Sequence, residues 1–293
     1  MNALEETKFL LNKYDLSAKK SLGQNFLISD EVISDIIEQS DIKNTDFVIE
    51  IGPGLGTLTS KLVEVAGKVA VVELDKDMVN IISERFKLYD NIEIIHNDIL
   101  KINLEELVNR YKNSYKDIKE VKVIANLPYY ISTPIIMKLI ENNKSINSII
   151  VMVQKEVADR LTAKTGGKDS GAITYHISYY TNSKKIIDVP NTCFIPIPKV
   201  NSAVIKLDLK TEEEIKESID VKSKDLMFKI IKLNFMHRRK ILSKILADNN
   251  IFSSKIEAEK CFEALNIRKD IRGEALTIGD YARISNYIYE TSK

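Results

Sequence analysis

Val48-Ile49-Glu50-Ile51-Gly52-Pro53-Gly54-Leu55-Gly56 reads as a buried strand that breaks into a glycine-rich turn. Apolar residues then recur at three- and four-residue steps over 57–65, which predicts a strand, a tight turn and a helix in succession. The same alternation extends outward. Strand-like runs at 47–51, 68–74, 91–96, 121–125 and 148–153 alternate with helix-like stretches at 57–65, 77–86, 104–111 and 133–141. Such alternation gives βαβ units, and therefore an α/β fold with a mostly parallel, Rossmann-like sheet. Ser29-Asp30-Glu31 supplies a cap and dipole-matched acids for a further helix before the sheet. Two later runs, 185–189 and 203–209, read as the last strands, separated by the turn-rich Phe194-Ile195-Pro196-Ile197-Pro198-Lys199-Val200. A charged stretch at 210–223 marks the expected boundary between a ligand-binding domain, 1–210, and a small helical domain, 211–293.

Composition narrows the function. The chain has 293 residues, 44% apolar and 29% charged, ordinary values for a globular protein. Its apolar runs fall short of the roughly 20 residues a spanning helix needs, and its first residues are mixed and charged, so a cytoplasmic protein without a membrane is expected. Cys193 and Cys261 lie far apart, and His96, His176 and His237 form no ligand cluster, so neither a disulfide framework nor a metal is expected. A net charge of +1 excludes a uniformly basic coat, so nucleic-acid binding would rest on local patches. A monomer is the expectation, since no heptad zipper is present.

The glycines let a ligand approach the main chain closely. Glu73 ends the next strand about 21 residues after Gly52, near the roughly 20 at which ribose-binding acids sit in nucleotide folds. The third strand ends at Asn97-Asp98, where Asp98 is placed to accept from an adenine amino group. A dinucleotide usually brings Gly-x-Gly-x-x-Gly, whereas this chain has Gly-x-Gly-x-Gly with Pro53 inside it. That turn resembles the first motif of S-adenosylmethionine-dependent methyltransferases. Hydride transfer remains the alternative on these residues alone, because Glu73 suits both.

Asn126-Leu127-Pro128-Tyr129 closes the strand at 121–125. Asn126 offers a side-chain carbonyl and Leu127 a backbone carbonyl, stiffened because the residue before proline is pushed away from helix. Tyr129 adds an aromatic face. Two acceptors on the N–H bonds of an adenine amino group would aim its lone pair at a methyl donor through positioning and electrostatics. Arg238, Arg239, Lys240 and Lys244, read as one helical patch, and Lys19 and Lys20 near the start are candidate phosphate contacts.

With these motifs in order, the chain resembles the KsgA/RsmA family of ribosomal RNA adenine N6,N6-dimethyltransferases over nearly its whole length. Lys19-Lys20-Ser21-Leu22-Gly23-Gln24-Asn25-Phe26-Leu27 is similar to the family's opening signature, and Phe194 to Ser202 to its Phe-x-Pro-x-Pro-Lys-Val-x-Ser segment. The resemblance implies S-adenosyl-L-methionine as cofactor, held by Asn25, Leu27, Gly52, Gly54, Glu73, Asp98 and Asn126. It also implies that Phe194 stacks on the target adenine opposite Tyr129, and that Lys155 and Arg160 face RNA. The implied substrate is a pair of adjacent adenosines in a 16S rRNA hairpin loop near the 3′ end, met within an immature 30S subunit. Two rivals stand beside this reading: an erythromycin-resistance type enzyme acting on 23S rRNA, and a non-catalytic 30S assembly factor.

Overall fold

The computed structural model describes residues 1–19, 22–141 and 145–291; Lys20, one of the candidate phosphate contacts, lies outside the described residues. Helix α1 (Ala3–Lys13) opens the chain, followed by the short strand β1 (Phe26–Leu27) and helix α2 (Asp30–Ser40). Then come β2 (Phe47–Ile51), α3 (Thr59–Val65), β3 (Lys68–Glu73), α4 (Lys76–Arg85), β4 (Ile92–His96) and α5 (Leu104–Ser114). After them run β5 (Val121–Asn126), α6 (Ser132–Glu141), β6 (Ser148–Gln154), α7 (Lys155–Leu161), α8 (Ala172–Tyr180) and β7 (Thr181–Val189). The short β8 (Phe194–Ile195) and β9 (Ser202–Leu209) complete the strands. Helices α9 (Glu212–Ser218), α10 (Lys224–Met236), α11 (Leu242–Asp248), α12 (Lys255–Ala264) and α13 (Ile278–Thr291) end the chain.

The main sheet has the order β4-β3-β2-β5-β6-β9-β7. Its first five strands pair in parallel, and β9 runs antiparallel to β6. Strands β2 and β5 read as near-continuous apolar runs because helices cover both faces of a parallel sheet. From β2 the chain winds outward through β3 to β4, and then returns to add β5 and β6 on the other side. The winding therefore reverses between β2 and β5, the kind of switch point at which open α/β sheets bind ligands beyond their carboxyl ends. Ser29 caps α2 by accepting from Val32 N, as its sequence predicts.

Two compact units divide the chain. The first comprises Met1–Ala158 and Lys184–Leu209, the second Asp159–Ser183 and Lys210–Lys293. The second unit thus takes a segment that the sequence reading assigns to the first. The cause is aromatic: Tyr175 and Tyr179 of α8 belong to the helical core, where Tyr175 meets Tyr281 edge-on at 5.3 Å and its hydroxyl donates to Leu276 O at 2.6 Å. Among the described residues no helix is long and apolar enough to cross a membrane.

Candidate active site

The parallel register sets the site. Ile51 lies beside Val72 on one flank and Ala125 on the other, so Gly52, Glu73 and Asn126 fall in a row at the carboxyl edge of the sheet. Glu73 in turn pairs with His96, two residues before Asp98. These strand ends and the segment around β1 line one pocket, with an empty volume of about 1310 Å³ including its open side. Ten of the predicted residues meet there: Asn25 and Leu27 from the opening signature, Gly52 and Gly54 from the turn, Glu73, Asp98, and all four of Asn126 to Tyr129.

The turn needs its glycines. Gly52 and Gly54 have φ of 66° and 56°, in the left-handed region that L side chains rarely adopt. A Cβ on Gly52 would meet nothing within 4 Å, so its backbone faces open space, a cradle into which a ligand fits. Beside it the Glu73 carboxylate is only 7% exposed and accepts from Asp75 N at 2.8 Å and Gly54 N at 3.3 Å. Burial pushes this carboxyl up, against the pull of those N–H groups. Each oxygen keeps lone-pair capacity beyond these bonds, which suits a ribose diol. Asp98 accepts from Leu100 N at 2.9 Å, which fixes its carboxylate at the end of β4.

The tetrad is ordered by its neighbours. Asn126 Nδ2 donates to Asn25 O at 3.1 Å, leaving Oδ1 without a partner among the described residues. Leu127 N donates to Met152 O at 3.2 Å, while its own carbonyl accepts no hydrogen bond among the described residues. The Tyr129 hydroxyl is bonded to Ser202 Oγ at 2.6 Å, which anchors the half-buried ring by its far end. Two unspent carbonyl acceptors and a held aromatic ring therefore border one pocket.

Other expectations meet a different arrangement. Phe194 does not line the pocket: it is fully buried, sits in the main apolar core with Leu27 and Val204, and pairs with Leu27 across the β1–β8 ladder. Its place is set by packing, so the stacking role implied for it is not met by this geometry. Lys19 is spent on carboxylates, at 2.7 Å from both Asp75 and Asp77. Gln24 joins the clamp through Nε2 to Asp75 Oδ2 at 2.9 Å, and takes Lys19 N on its own Oε1 at 2.9 Å. Burial pushes the Asp75 carboxyl up, but the bonds from Lys19, Asp77 N and Gln24 outweigh it and hold it below the ordinary range. Lys155 pairs with Asp188 at 2.8 Å. In the second unit, exposed Arg160 runs beside Gly171, and Arg238 pairs with Glu274 and donates to Lys168 O. Arg238, Arg239 and Lys240 lie in the turn after α10 and not on a helix, because α10 ends at Met236 and His237 N bonds Asn234 O; Arg239 and Lys240 are exposed. Among the described residues no group of three or more His, Cys, Asp or Glu is placed to hold a metal ion.

The sequence reading gave Glu50, another residue of the pocket, no role of its own. Glu50 stands inside fully buried β2, 2% exposed, and accepts from Thr59 Oγ1 at 2.6 Å. Burial raises its carboxyl to about 8, with a further push from nearby Glu73. A charged residue inside an otherwise apolar strand was the available signal.

The family model for ribosomal RNA adenine dimethylase matches residues 15–290. The ribosomal RNA small subunit methyltransferase A of Alkaliphilus metalliredigens is 42% identical over 284 residues, 97% of this chain and 96% of that protein. Its counterpart from Clostridium botulinum strain Okra is 44% identical over 284 residues, 97% and 98% of the two chains. Among solved structures, a dimethyladenosine transferase from Plasmodium falciparum aligns with a TM-score of 0.76 at 26% identity, covering 91% of this chain and 98% of that one. The 23S rRNA methyltransferase ErmE aligns at 0.67 with 19% identity over 90% and 100%, a likeness of fold.

Proposed function

The chain belongs to the ribosomal RNA adenine dimethylase family, and from that premise we propose that it transfers methyl groups from S-adenosyl-L-methionine to the exocyclic amino groups of two adjacent adenosines in a 16S rRNA hairpin loop near the 3′ end. The observation that carries the reading is the Asn126 carboxamide. Its NH2 is spent on Asn25 O while Oδ1 is unspent, at the rim of a pocket that also holds the buried Glu73 carboxylate and the open backbone of Gly52.

Gly52 and Gly54 admit the cofactor's backbone approach, Glu73 accepts from the ribose hydroxyls, Asp98 accepts from its adenine, and Asn25 and Leu27 close the methionine side. When bound, the cofactor supplies a methyl group activated on a positively charged sulfur. The chain's part is to present the nucleophile. An adenine amino nitrogen is weakly nucleophilic because its lone pair is delocalised into the ring. Asn126 Oδ1 and Leu127 O accept its two hydrogens, and a pyramidal nitrogen then turns its lone pair toward the methyl. Stacking on Tyr129 adds roughly 1 to 3 kcal/mol. No charged base is needed, since the proton that leaves comes from a nitrogen made acidic by its new bond.

The target base must leave its stack, which costs on the order of a few kcal/mol and least in a loop. Lys155, Arg160, Arg238, Arg239 and Lys240 are the phosphate contacts in this reading, on a monomer acting in the cytoplasm on an immature 30S subunit. Lys19 is better assigned to holding the opening signature. The small-subunit relatives favour this substrate over 23S rRNA. Incubation with labelled cofactor, unmethylated 30S particles and free 23S RNA, followed by mass spectrometry of the RNA, is expected to place dimethyladenosine in the small-subunit RNA. Label only in 23S RNA would overturn the substrate; particle binding without label would favour the assembly factor.

A further inference from the structure

We propose that the backbone carbonyl of Asn25 selects which end of the Asn126 carboxamide faces the substrate, and that this is why the position holds an amide and not a carboxylate. The inference rests on the methyl-transfer reading above and assigns a positioning role that reading does not contain. The two ends of a carboxamide are nearly the same size, so its shape alone does not decide whether Oδ1 or Nδ2 points into a pocket. A donor aimed at an amino group would meet its hydrogens head-on. Something must fix the flip, and here it is Asn25 O, 3.1 Å from Nδ2 and 101 residues away in sequence.

That carbonyl is itself held from both sides. Before it, Asn25 Nδ2 donates to Gly23 O at 3.0 Å, and the preceding residues are clamped to Asp75 by Lys19 and Gln24. After it, Phe26 and Leu27 pair with Ile195 and Phe194, and Ile28 N donates to Cys193 O at 2.9 Å. The buried Phe194 thereby acquires a role at the site without touching it: it anchors the strand that carries the selecting oxygen.

An aspartate at position 126 separates this role from a bare need for an acceptor. Ionised, it sets an anionic oxygen against Asn25 O at about the same separation, and the repulsion turns the group away. Protonated, its O–H replaces the Nδ2–H bond to Asn25 O and its other oxygen remains the acceptor. Asn126→Asp is therefore expected to be nearly inactive at pH 8 and to recover as pH falls, its activity relative to the unmodified protein rising about tenfold per pH unit until the carboxyl's own titration is passed. The other titratable groups around the pocket are Glu50 on β2, Glu73 on β3, Asp98 after β4, Tyr129 in the tetrad and Tyr130 after it. They are common to both proteins, and the ratio removes them. Asn126→Ala should be weak with a flat ratio.

Methyl transfer to 30S particles is measured from pH 5.5 to 8.5, with cofactor binding by calorimetry as the check on folding. A flat ratio for Asn126→Asp, whether active or inactive, with cofactor binding intact, would overturn the proposal. If that variant does not fold, the unmodified protein decides: one proton of the Asn126 side-chain NH2 should exchange slowly in its nitrogen-15 spectrum, and two rapidly exchanging protons would refute the bond. Failure of the unmodified protein to methylate any adenine would instead refute the functional reading and leave the spectrum to judge the inference.

Discussion

Replacing Phe194 with alanine tests whether that side chain is a wall of the core or a platform for the base. The ring is fully buried in the main apolar cluster of the first unit, beside Leu27 and Val204. A buried phenylalanine truncated to alanine loses about 3 to 5 kcal/mol, the sum of lost transfer energy and the cavity left behind. In a domain of this size each kcal/mol moves the midpoint by roughly 2 to 4 °C, so a fall of about 6 to 20 °C is expected. Phe194→Leu refills most of the space and should lose about 1 to 2 kcal/mol. Calorimetry reads the transition of the first unit, and methyl transfer is then measured well below the lowered midpoint. A packing role predicts that Phe194→Leu keeps kcat within about threefold, since stacking is worth roughly 1 to 3 kcal/mol per base and its loss would show as a larger drop. An alanine variant that melts like the unmodified protein yet no longer methylates would refute the core assignment.

Two further outcomes follow from the same site. The folded Glu50 carboxyl titrates near 8, raised above its unfolded range, so its contribution to stability is full below about pH 4.5, is lost as pH rises to about 8, and is constant beyond. Unfolding free energies from urea titrations across that window should fall with pH by up to about 1.4 kcal/mol per unit more in the unmodified protein than in Glu50→Gln, and equal slopes would refute the assignment. Lys19→Met should weaken cofactor binding about fivefold, because it loosens the clamp on the buried Asp75 carboxylate, and leave RNA affinity unchanged. Filter binding that instead finds weaker RNA capture with cofactor affinity intact would return Lys19 to the phosphate contacts.

The strands were legible because each central one is an apolar run broken by at most one charge, Glu50 in β2 and Lys122 in β5, so that β2 and β5 begin where the sequence places them and end within a residue of it. Strands β1 and β8 were not, since two residues carry no periodicity. Helix α1 had a signal that went unused, the capping box of Asn2 and Glu5.

At the site, one physical distinction separates what the sequence reveals from what it conceals. Where an apolar parallel strand stops, the next polar residue must emerge at the carboxyl edge of the sheet, and Gly52, Glu73 and Asn126 were readable for that reason. A charge says what would attract it but not what reaches it first. Lys19 finds Asp75, the cap of α4, and Asp77 in its first turn, and Lys155 finds Asp188, partners more than 30 residues away in each case. Phe194 is the apolar version of the same problem: an aromatic in a proline-rich segment offers a face to whatever arrives, and here the core arrives first. The Asn126 carboxamide shows the consequence for function, because its chemistry was legible from the residue alone whereas the atom it presents to substrate depends on a carbonyl that only the folded chain brings within reach.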